Sequence, residues 1–347
     1  MKRCDFLVVG QGLAGTVLAY TLLKKGCSVR VVDDGSLSSC SRVAAGNMNP
    51  VVFKRLAPTW KADALIPFAK KFYRETEEFL EQQFFLDKEI VKLFSGENDK
   101  GAWLKRAHEL PEYLSEKLIK GYQPDILNND CGGALVRQAG NLYVAKFLDD
   151  FRDHFRAEGI LAEEKFEYDK LADDAGSVQY GDITARRIIF CEGWKALGNP
   201  FLKDLPFRPA KGELLTVRIP GLDTDKIVHK GLYLLPVGPE LFIAGATYRW
   251  HKLDDTPTDE ARKELVEKLK KMLHVPFEIV GHEAGVRPAI SDRRPVIGML
   301  PGQKNMGVFN GMGSKGVMLA PFFAEQFAEH LLSGKALSDE VDLRRFL

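Results

Sequence analysis

The hydrophobic pattern at the start of the chain predicts a strand, a helix and a second strand in quick succession. Four apolar residues at positions 6–9 precede a glycine-rich turn, and apolar residues then recur with helical spacing as far as Lys24. Basic residues and a glycine mark the end of this helix, which we expect to begin near Leu13. The apolar residues 29–32 form the second strand, which ends on Asp33. This order is typical of an α/β domain.

Helices and strands continue to alternate along the rest of the chain. Helical spacing or a capping residue predicts helices over residues 61–82, 102–118 and 147–159, after Thr258, and over 316–334. Apolar runs predict strands over residues 187–193, 212–219 and 231–248. Pro-Gly and Gly-Pro pairs at 220–221 and 238–239 indicate turns between these strands, and Pro321 lies near the start of the last helix or kinks it.

The first glycine-rich turn has the residue types that hold the pyrophosphate of a dinucleotide. A glycine at position 10 suits a tight turn, one at position 12 lets the backbone approach the phosphates, and one at position 15 lets the helix pack on the strand. The start of the helix then directs its free N–H groups at the anion. Asp33 follows about twenty residues later, where a ribose-binding carboxylate is expected. The predicted ligands of the ADP half are Gly10, Gly12, Leu13, Ala14, Gly15 and Asp33, with Asp34 as a weaker candidate that is more typical of a solvated loop.

A second glycine-rich segment lies near the other end of the chain. Residues 285–298 read GVRPAISDRRPVIG, and residues 310–321 read NGMGSKGVMLAP. This pattern predicts a strand, a glycine-rich loop and a helix start, which could hold a flavin ring. Because a nicotinamide dehydrogenase usually completes its cofactor site within one stretch of chain, a site built from two distant segments points to FAD.

Composition narrows the class of protein further. With 347 residues the chain exceeds what one core usually supports, so two domains are expected. The 49 basic and 48 acidic residues give a net charge of +1, which provides no general attraction to nucleic acid or to an acidic membrane. Five scattered cysteines without a CxxC pair argue against a disulfide framework or a zinc site, and for a reducing cytoplasm. No metal is expected.

The start of the chain could also be mistaken for a targeting signal. Lys2 and Arg3 precede an apolar stretch, as in a signal peptide, but Asp5 and Gln11 interrupt it and no small-residue cleavage site follows. No apolar stretch approaches the ~20 residues of a membrane span. We therefore expect a soluble, cytoplasmic protein without a membrane partner.

Four segments of the chain resemble the D-amino-acid oxidase, glycine oxidase and sarcosine oxidase family of FAD-dependent amine oxidoreductases. They are GQGLAG with Asp33, SRVAAG at 41–46 with Pro50, IIFCEGW at 188–194, and the two C-terminal segments quoted above. The last pair is also similar to the oxidoreductase half of the bifunctional enzyme that trims a carboxymethyl group during tRNA wobble-uridine modification. The methyltransferase half of that enzyme has no counterpart here, since only one dinucleotide fingerprint is present.

The resemblance implies which residues surround the cofactor. The segment beside the isoalloxazine ring would contribute Ser41, Arg42, Ala44, Ala45 and Gly46, and the segment that closes over FAD would contribute Cys191, Glu192, Gly193 and Trp194. The loop at the pyrimidine end would contribute Gly313, Ser314, Lys315, Gly316 and Val317. Backbone N–H groups and a helix start there suit the negative charge of a reduced flavin. Sarcosine oxidases attach flavin through a cysteine in the segment that corresponds to 285–298, and no cysteine follows Cys191 here, so the expected FAD is non-covalent.

The resemblance also implies a substrate site. Arg287 corresponds to the arginine with which glycine oxidase-like members bind the substrate carboxylate, a task that suits the fixed fork of a guanidinium. Tyr233 corresponds to a pocket tyrosine above the flavin, while Tyr248 and Trp250 are weaker pocket candidates. Lys211 could reach the pocket or simply begin a strand. The histidines at 229, 251 and 282 lack metal-ligand spacing and are expected to be structural or solvated.

The expected fold is therefore α/β, with a Rossmann-like FAD-binding domain over residues 1–50, 138–208 and 286–347. A discontinuous α+β substrate domain with a mixed or antiparallel sheet is expected over 51–137 and 209–285. The expected reaction is oxidation of the C–N bond of a small amine or amino acid by hydride transfer to flavin N5, with O2 as acceptor. The alternatives are a dehydrogenase that passes electrons to a quinone or carrier, and oxidative trimming of a carboxymethylaminomethyl group on tRNA, although the balanced charge argues against a nucleic-acid partner.

Overall fold

The computed structural model describes residues 2–36, 39–174 and 176–346, and its strands form two large sheets and two small ones. The helices are α1 Leu13–Lys24, α2 Cys40–Val43, α3 Ala62–Leu80, α4 Glu97–Glu109, α5 Val144–Ala157, α6 Asp259–Met272 and α7 Gly316–Ser333. The strands are β1 Lys2–Val9, β2 Val29–Val32, β3 Asn47–Met48, β4 Val51–Val52, β5 Ala57–Pro58, β6 Phe85–Asp87, β7 Ile90–Leu93, β8 Leu114–Ile119, β9 Gly133–Val136, β10 Gly140–Leu142, β11 Leu161–Ala162, β12 Leu171–Asp174, β13 Ser177–Tyr180, β14 Ile183–Phe190, β15 Ala210–Arg218, β16 Ile227–His229, β17 Tyr233–Gly238, β18 Leu241–Gly245, β19 Glu278–Arg287, β20 Val296–Met299 and β21 Met306–Asn310.

The first large sheet has a parallel centre. Its strands follow the order β11-β2-β1-β14-β13-β12, and β21 pairs with β14 and with β20. Strand β1 runs parallel to both β2 and β14, and β21 runs parallel to β14. Parallel strands are normally buried on both faces, and Leu7 and Val8 at the centre of β1 are fully buried. The α/β prediction is confirmed, and so are the predicted bounds of β2 and the predicted start of α1 near Leu13.

Two helices that are far apart in the sequence cover the same face of this sheet. Helix α1 packs against α7, which in turn packs against α3. Gly334 ends α7 with a left-handed conformation, φ 75°, which a glycine adopts without strain. This packing holds the starts of α1 and α7, and with them the two predicted cofactor segments, on one side of the fold.

The second large sheet is mixed, as predicted for the substrate domain. Its strands follow the order β19-β15-β18-β17-β16-β7-β9-β8, and every pair is antiparallel except β16 with β7. Its strands come from residues 90–136 and 210–287, whereas those of the first sheet come from 2–32, 161–190 and 296–310. Each sheet is therefore assembled from separate segments, although the exact domain boundaries stay a prediction.

One predicted helix is partly wrong. The helical spacing over 102–118 predicted a single helix, but α4 ends at Glu109 and residues 114–119 form strand β8. Pro111 explains the break, because a proline cannot donate the hydrogen bond that would continue a helix. Beyond it, the apolar residues of β8 pair with β9 in the second sheet. Among the described residues, no helix has both the length and the apolar character needed to cross a membrane.

Candidate active site

A single cavity of about 970 Å³ joins most of the predicted site residues. Both large sheets contribute to its walls, because β1 and β21 end at it from one side and β15, β17 and β18 face it from the other. The predicted residues that line it are Gly10, Gly12, Leu13, Ala14, Asp33, Asp34, Ser41, Arg42, Ala44, Ala45, Gly46, Cys191, Glu192, Gly193, Trp194, Tyr233, Arg287, Gly313, Ser314, Lys315, Gly316 and Val317. Gly15 and Tyr248 are not part of the lining.

The glycines of the first turn are required by close packing. Gly10 has φ 98°, and a Cβ atom there would lie 2.8 Å from the carbonyl oxygen of Cys191. A Cβ atom on Gly15 would lie 1.8 Å from the carbonyl oxygen of Gly10. Helix α1 therefore presses directly on the turn, so that Gly15 acts by packing the helix on the strand rather than by touching a ligand.

Asp33 holds this turn in place. Its carboxylate accepts hydrogen bonds from the backbone N–H groups of Gln11 and Gly35, each at 2.8 Å, and from the Arg152 guanidinium at 2.9 Å. The two oxygens can accept about four hydrogen bonds, so one position stays available for a ribose hydroxyl. Arg152 also donates to the side chain of Gln11 at 2.6 Å and lines the cavity. No sequence motif marks Arg152, since it lies more than a hundred residues from Asp33.

The second predicted segment is tied to the phosphate-binding turn. The Ser41 hydroxyl accepts a hydrogen bond from the backbone N–H of Leu13 at 3.1 Å, and Arg42 pairs with Asp149 on α5. Gly46 has φ 75°, and a Cβ atom there would lie 1.8 Å from the carbonyl oxygen of Leu142. Close contact with β10 therefore requires a glycine at this position, while Ala44 and Ala45 leave space on the cavity side.

Residues 191–194 follow β14 and form the wall beside the turn. Glu192 is buried there, and burial raises the pKa of its carboxyl group. It accepts hydrogen bonds from the Tyr168 hydroxyl at 2.5 Å and from Asn199 at 2.7 Å. Burial also raises the pKa of the Cys191 thiol well above its ordinary value. The segment therefore presents neutral or hydrogen-bonded groups to the cavity.

The start of α7 supplies an anion-binding corner. The first N–H groups of a helix have no partner within it, and their dipoles favour negative charge. Lys315 precedes this helix and donates a hydrogen bond to the Thr59 hydroxyl at 2.8 Å. Burial and the nearby Arg294 guanidinium lower the pKa of Lys315 to about 8. A negative group bound at this corner would hold the lysine in its charged form.

Arg287 ends strand β19 with its charge buried at the cavity. Its two terminal nitrogens donate to the carbonyl oxygen of Thr247, each at 3.3 Å, and its guanidinium carbon lies 4.8 Å from the centre of the Tyr248 ring. Burial lowers the pKa of this guanidinium. Among the described residues no carboxylate forms an ion pair with Arg287, so its charge is free to bind an anion from the cavity.

Tyr248 was predicted as a weaker pocket candidate, and it is not part of the cavity lining. Its side chain is 38% exposed, and its ring stacks on the Arg287 guanidinium. Trp250 is 58% exposed and lies 5.1 Å from Tyr248 between ring centres. Both rings therefore belong to the outer surface next to the site.

Tyr233 lines the cavity from the first residue of β17. Its hydroxyl accepts a hydrogen bond from the Asn49 side chain at 3.0 Å, which leaves its own O–H able to donate. His229 and Phe53 pack around it, with ring centres 4.7 and 6.2 Å away. Burial lowers the pKa of His229 to about 3, so this histidine is neutral. The sequence identified Tyr233, but it did not predict that Asn49, Phe53 and His229 would join it.

The residues present fit an extended dinucleotide with a flavin at one end. Gly10, Gly12 and the start of α1 leave room and N–H groups for a pyrophosphate, and Asp33 lies at the ribose side. The start of α7 lines the same cavity, as do Arg287 and Tyr233. The parallel sheet, the phosphate-binding turn and this second helix start define a flavin-dependent oxidoreductase.

The chain belongs to the DAO family of FAD dependent oxidoreductases, whose model matches residues 5–330. A glycine oxidase from Bacillus licheniformis is 26% identical to it, and the alignment covers 98% of this chain and 96% of that relative. The tRNA 5-methylaminomethyl-2-thiouridine biosynthesis bifunctional protein MnmC of Marinobacter nauticus is 23% identical over 94% of this chain, which spans 55% of that protein. The crystal structure of glycine oxidase from Geobacillus kaustophilus has the same fold, with a TM-score of 0.81 at 20% identity over 100% of this chain and 98% of that one.

Proposed function

We propose that this enzyme oxidises the C–N bond of a small amine that carries a carboxylate. The observation that carries the proposal is the buried guanidinium of Arg287, which opens on the cavity without a carboxylate partner among the described residues. Burying a cation costs free energy unless the cation is paired with an anion, and a substrate carboxylate would supply that partner. Glycine oxidase relatives match almost the whole chain, which supports the same class of substrate.

In this proposal the protein contributes binding and orientation. Arg287 holds the carboxylate through its two parallel donors, and Tyr233 can donate to the same group or to a neighbouring acceptor. The aromatic wall of Phe53, His229 and Tyr233 excludes water from the reacting carbon. Bound FAD supplies the redox chemistry by accepting a hydride from the substrate. A neutral substrate amine needs no catalytic base.

The electron acceptor belongs to the same proposal. We expect O2 to reoxidise the enzyme, and a quinone or an electron carrier is the alternative. Oxygen consumption during turnover distinguishes the two, because a dehydrogenase would turn over only when an artificial acceptor is supplied.

An anaerobic screen of amines and amino acids for bleaching of the flavin tests the reaction. Arg287→Ala should lower kcat/KM for a carboxylated amine by about thirtyfold or more, since removing one side of a buried charge pair costs about 2–5 kcal/mol. Arg287→Lys should restore only part of this kcat/KM, because an ammonium cannot reproduce the two-donor fork of the guanidinium.

The decarboxylated analogue of the same amine is the control substrate, and FAD content must stay normal in both variants. An equal loss of kcat/KM for the acid and for its decarboxylated analogue would show that Arg287 has a structural role and does not bind the carboxylate. Rapid bleaching by NADH or NADPH, with no response to any amine, would contradict the proposed reaction altogether.

A second candidate is oxidation of a carboxymethylaminomethyl group carried by tRNA. The exposed rings of Tyr248 and Trp250 favour it, because they lie beside Arg287 and could stack on a nucleobase. Binding to tRNA that weakens steeply between 50 and 200 mM salt, and that is lost in Trp250→Ala, would support this candidate. Absence of binding at about 50 mM salt would remove it.

A further inference from the structure

The carbonyl and ring that contact Arg287 both belong to one connection between β18 and α6. This connection covers residues 246–258 and is called the strap below. Thr247 provides the carbonyl oxygen that accepts from both guanidinium nitrogens, and Tyr248 provides the ring that stacks on it. Asp255, near the far end of the strap, lines the cavity. The position of the strap therefore decides both the setting of Arg287 and the shape of one cavity wall.

The first half of the strap is held by backbone hydrogen bonds to β15. Lys211 and Arg249 exchange two of them, at 2.8 and 2.9 Å. Thr247 donates its N–H to the Glu213 carbonyl at 3.1 Å, and its hydroxyl accepts from the Glu213 N–H at 3.0 Å. These bonds extend only as far as Arg249.

Two charged side chains of β15 hold the second half. Lys211 is 2% exposed and donates to the Asp254 carboxylate at 2.5 Å and to the carbonyl oxygen of Thr256. Glu213 is 1% exposed and accepts from the backbone N–H of Thr258 at 2.7 Å and from its hydroxyl at 2.9 Å. The His282 ring nitrogen lies 3.0 Å from the same carboxylate.

Such an arrangement is an expensive way to stabilise a fold, since the Lys211 ammonium is buried although the side chain of its partner Asp254 is 53% exposed, and burying a charge costs free energy that its partners must offset. It does fix one geometry, because a buried ammonium must keep its acceptors. Here every acceptor of the Lys211 ammonium lies in the strap or on β15, within one strand of Arg287.

We propose that Lys211 and Asp254 are positioning residues that latch the strap over the substrate-binding arginine. The proposal rests on the proposed function of Arg287 as the carboxylate ligand. With the latch closed, Thr247 and Tyr248 hold the guanidinium toward the cavity. With the latch removed, the Glu213–Thr258 contact is the remaining side-chain tie between the second half of the strap and β15. The strap is then less constrained, and Arg287 loses its fixed orientation.

The test compares two variants that open the latch in different ways. Asp254→Ala removes the acceptor, and Lys211→Met removes the buried charge while keeping an apolar stem, so that at least one variant leaves no stranded ammonium. Each should weaken binding of acetate, measured by its effect on the spectrum of the bound flavin, on the order of tenfold. The double variant should lose no more acetate affinity than either single variant, because the two substitutions break the same contact. Asp254→Asn should restore most of the affinity, since its amide oxygen can still accept from Lys211.

A second measurement reports on the strap itself. Trypsin can cut after Arg249 and Lys252, and these cuts should be faster in the latch variants and slower when acetate is saturating. Glu329→Ala is the matched control, because it breaks a surface ion pair of 2.6 Å with Lys335, just beyond the end of α7, and Glu329 does not line the cavity. It should change neither acetate binding nor the rate of these cuts.

Arg287→Ala separates failure of this proposal from failure of the proposed function. Loss of acetate binding in Arg287→Ala but not in the latch variants would overturn the latch and leave the carboxylate ligand standing. Unchanged acetate binding in Arg287→Ala would overturn both. Weaker binding with unchanged trypsin cutting would also overturn the latch, because the strap would then not have moved.

Discussion

At the scale of single residues, the Arg287 guanidinium has space only because residue 212 is a glycine. Gly212 lies beside it on the neighbouring strand β15, and a Cβ atom there would fall 2.0 to 2.3 Å from the guanidinium atoms. The glycine therefore sets where the charge can lie. Lys211 and Glu213 on either side of it hold the strap, so this short stretch of β15 supports the arginine from two directions.

Gly212→Ala should displace the guanidinium and raise KM for a carboxylated amine on the order of tenfold, with a smaller change in kcat. Steady-state kinetics with the acid and its decarboxylated analogue would measure this. Gly101→Ala is the control, since a Cβ atom on this helical glycine meets no other atom within 4 Å and the change should stabilise the helix by about 0.5–1 kcal/mol. If Gly212→Ala left KM unchanged, the guanidinium could not lie against β15.

His229 gives a second residue-scale prediction, in the dependence of stability on pH. Burial lowers its pKa to about 3, whereas an unfolded histidine titrates near 6.5, so the unfolded chain binds the extra proton between these values. Stability is thus lost as the pH falls through about 6.5. Between pH 7 and pH 5 this group should lower the free energy of unfolding by about 2 kcal/mol. Urea unfolding at both pH values measures this for the wild type and for His229→Gln. The wild type should lose about 2 kcal/mol more unfolding free energy between pH 7 and pH 5 than the variant does. An equal loss in the two proteins would show that His229 is not buried as a neutral ring.

At the scale of elements, strand β2 and helix α1 are joined through Asp33. The carboxylate ends β2 and accepts from Gln11 in the turn before α1, so one side chain sets both the turn and the ribose side of the cavity.

Asp33→Ala should weaken FAD binding by about 1.5–3 kcal/mol, which is the usual loss for a hydrogen bond to a charged group. Titration of the apoprotein with FAD measures it as a tenfold to hundredfold rise in Kd, on the order expected from those energies. Asp34→Ala should have an effect of less than about 1 kcal/mol, because the Asp34 side chain is partly exposed and its contact with Lys195 is a surface ion pair. A larger loss of FAD affinity in Asp34→Ala than in Asp33→Ala would show that Asp34, rather than Asp33, contacts the ribose.

Elements with a local signal were predictable from the sequence, and contacts between distant segments were not. The spacing around Leu13, the cap at Thr258 and the end of β2 at Asp33 all depend on neighbours within a few residues. The break after α4 has a local signal in Pro111, but strand β8 beyond it has none, because it takes its partner from β9 and tertiary pairing outweighs helical spacing there. Arg152 and the Lys211–Asp254 contact were invisible for the same reason, since no periodicity marks a pair that forms only after folding.

At the scale of the whole molecule, one cavity joins the candidate cofactor-binding residues and the candidate substrate-binding residues. Strands of both the parallel sheet and the mixed sheet line it. Two cysteines line it, Cys40 and Cys191, and burial raises the pKa of both thiols, to about 11 for Cys40 and well above its ordinary value for Cys191. Because the thiolate is the reactive form, neither is suited to bond with a flavin.

We therefore expect purified protein to carry one FAD per chain that acid precipitation releases completely. Absorbance of the supernatant and of the pellet measures the distribution. Yellow colour retained in the pellet after washing would show a covalent bond, and substitution of Cys40 and Cys191 one at a time would then locate it.

The packing of α1 against α7 has a consequence for the order of events during synthesis. Strands β1 and β2 are synthesised some three hundred residues before β21 and the start of α7, which complete their sheet and line the same cavity. At about 5–20 residues per second, that sheet stays unfinished for tens of seconds. During this interval the apolar face of α1 lacks its cover, so the growing chain should bind chaperones, and FAD can be captured only after α7 has left the ribosome.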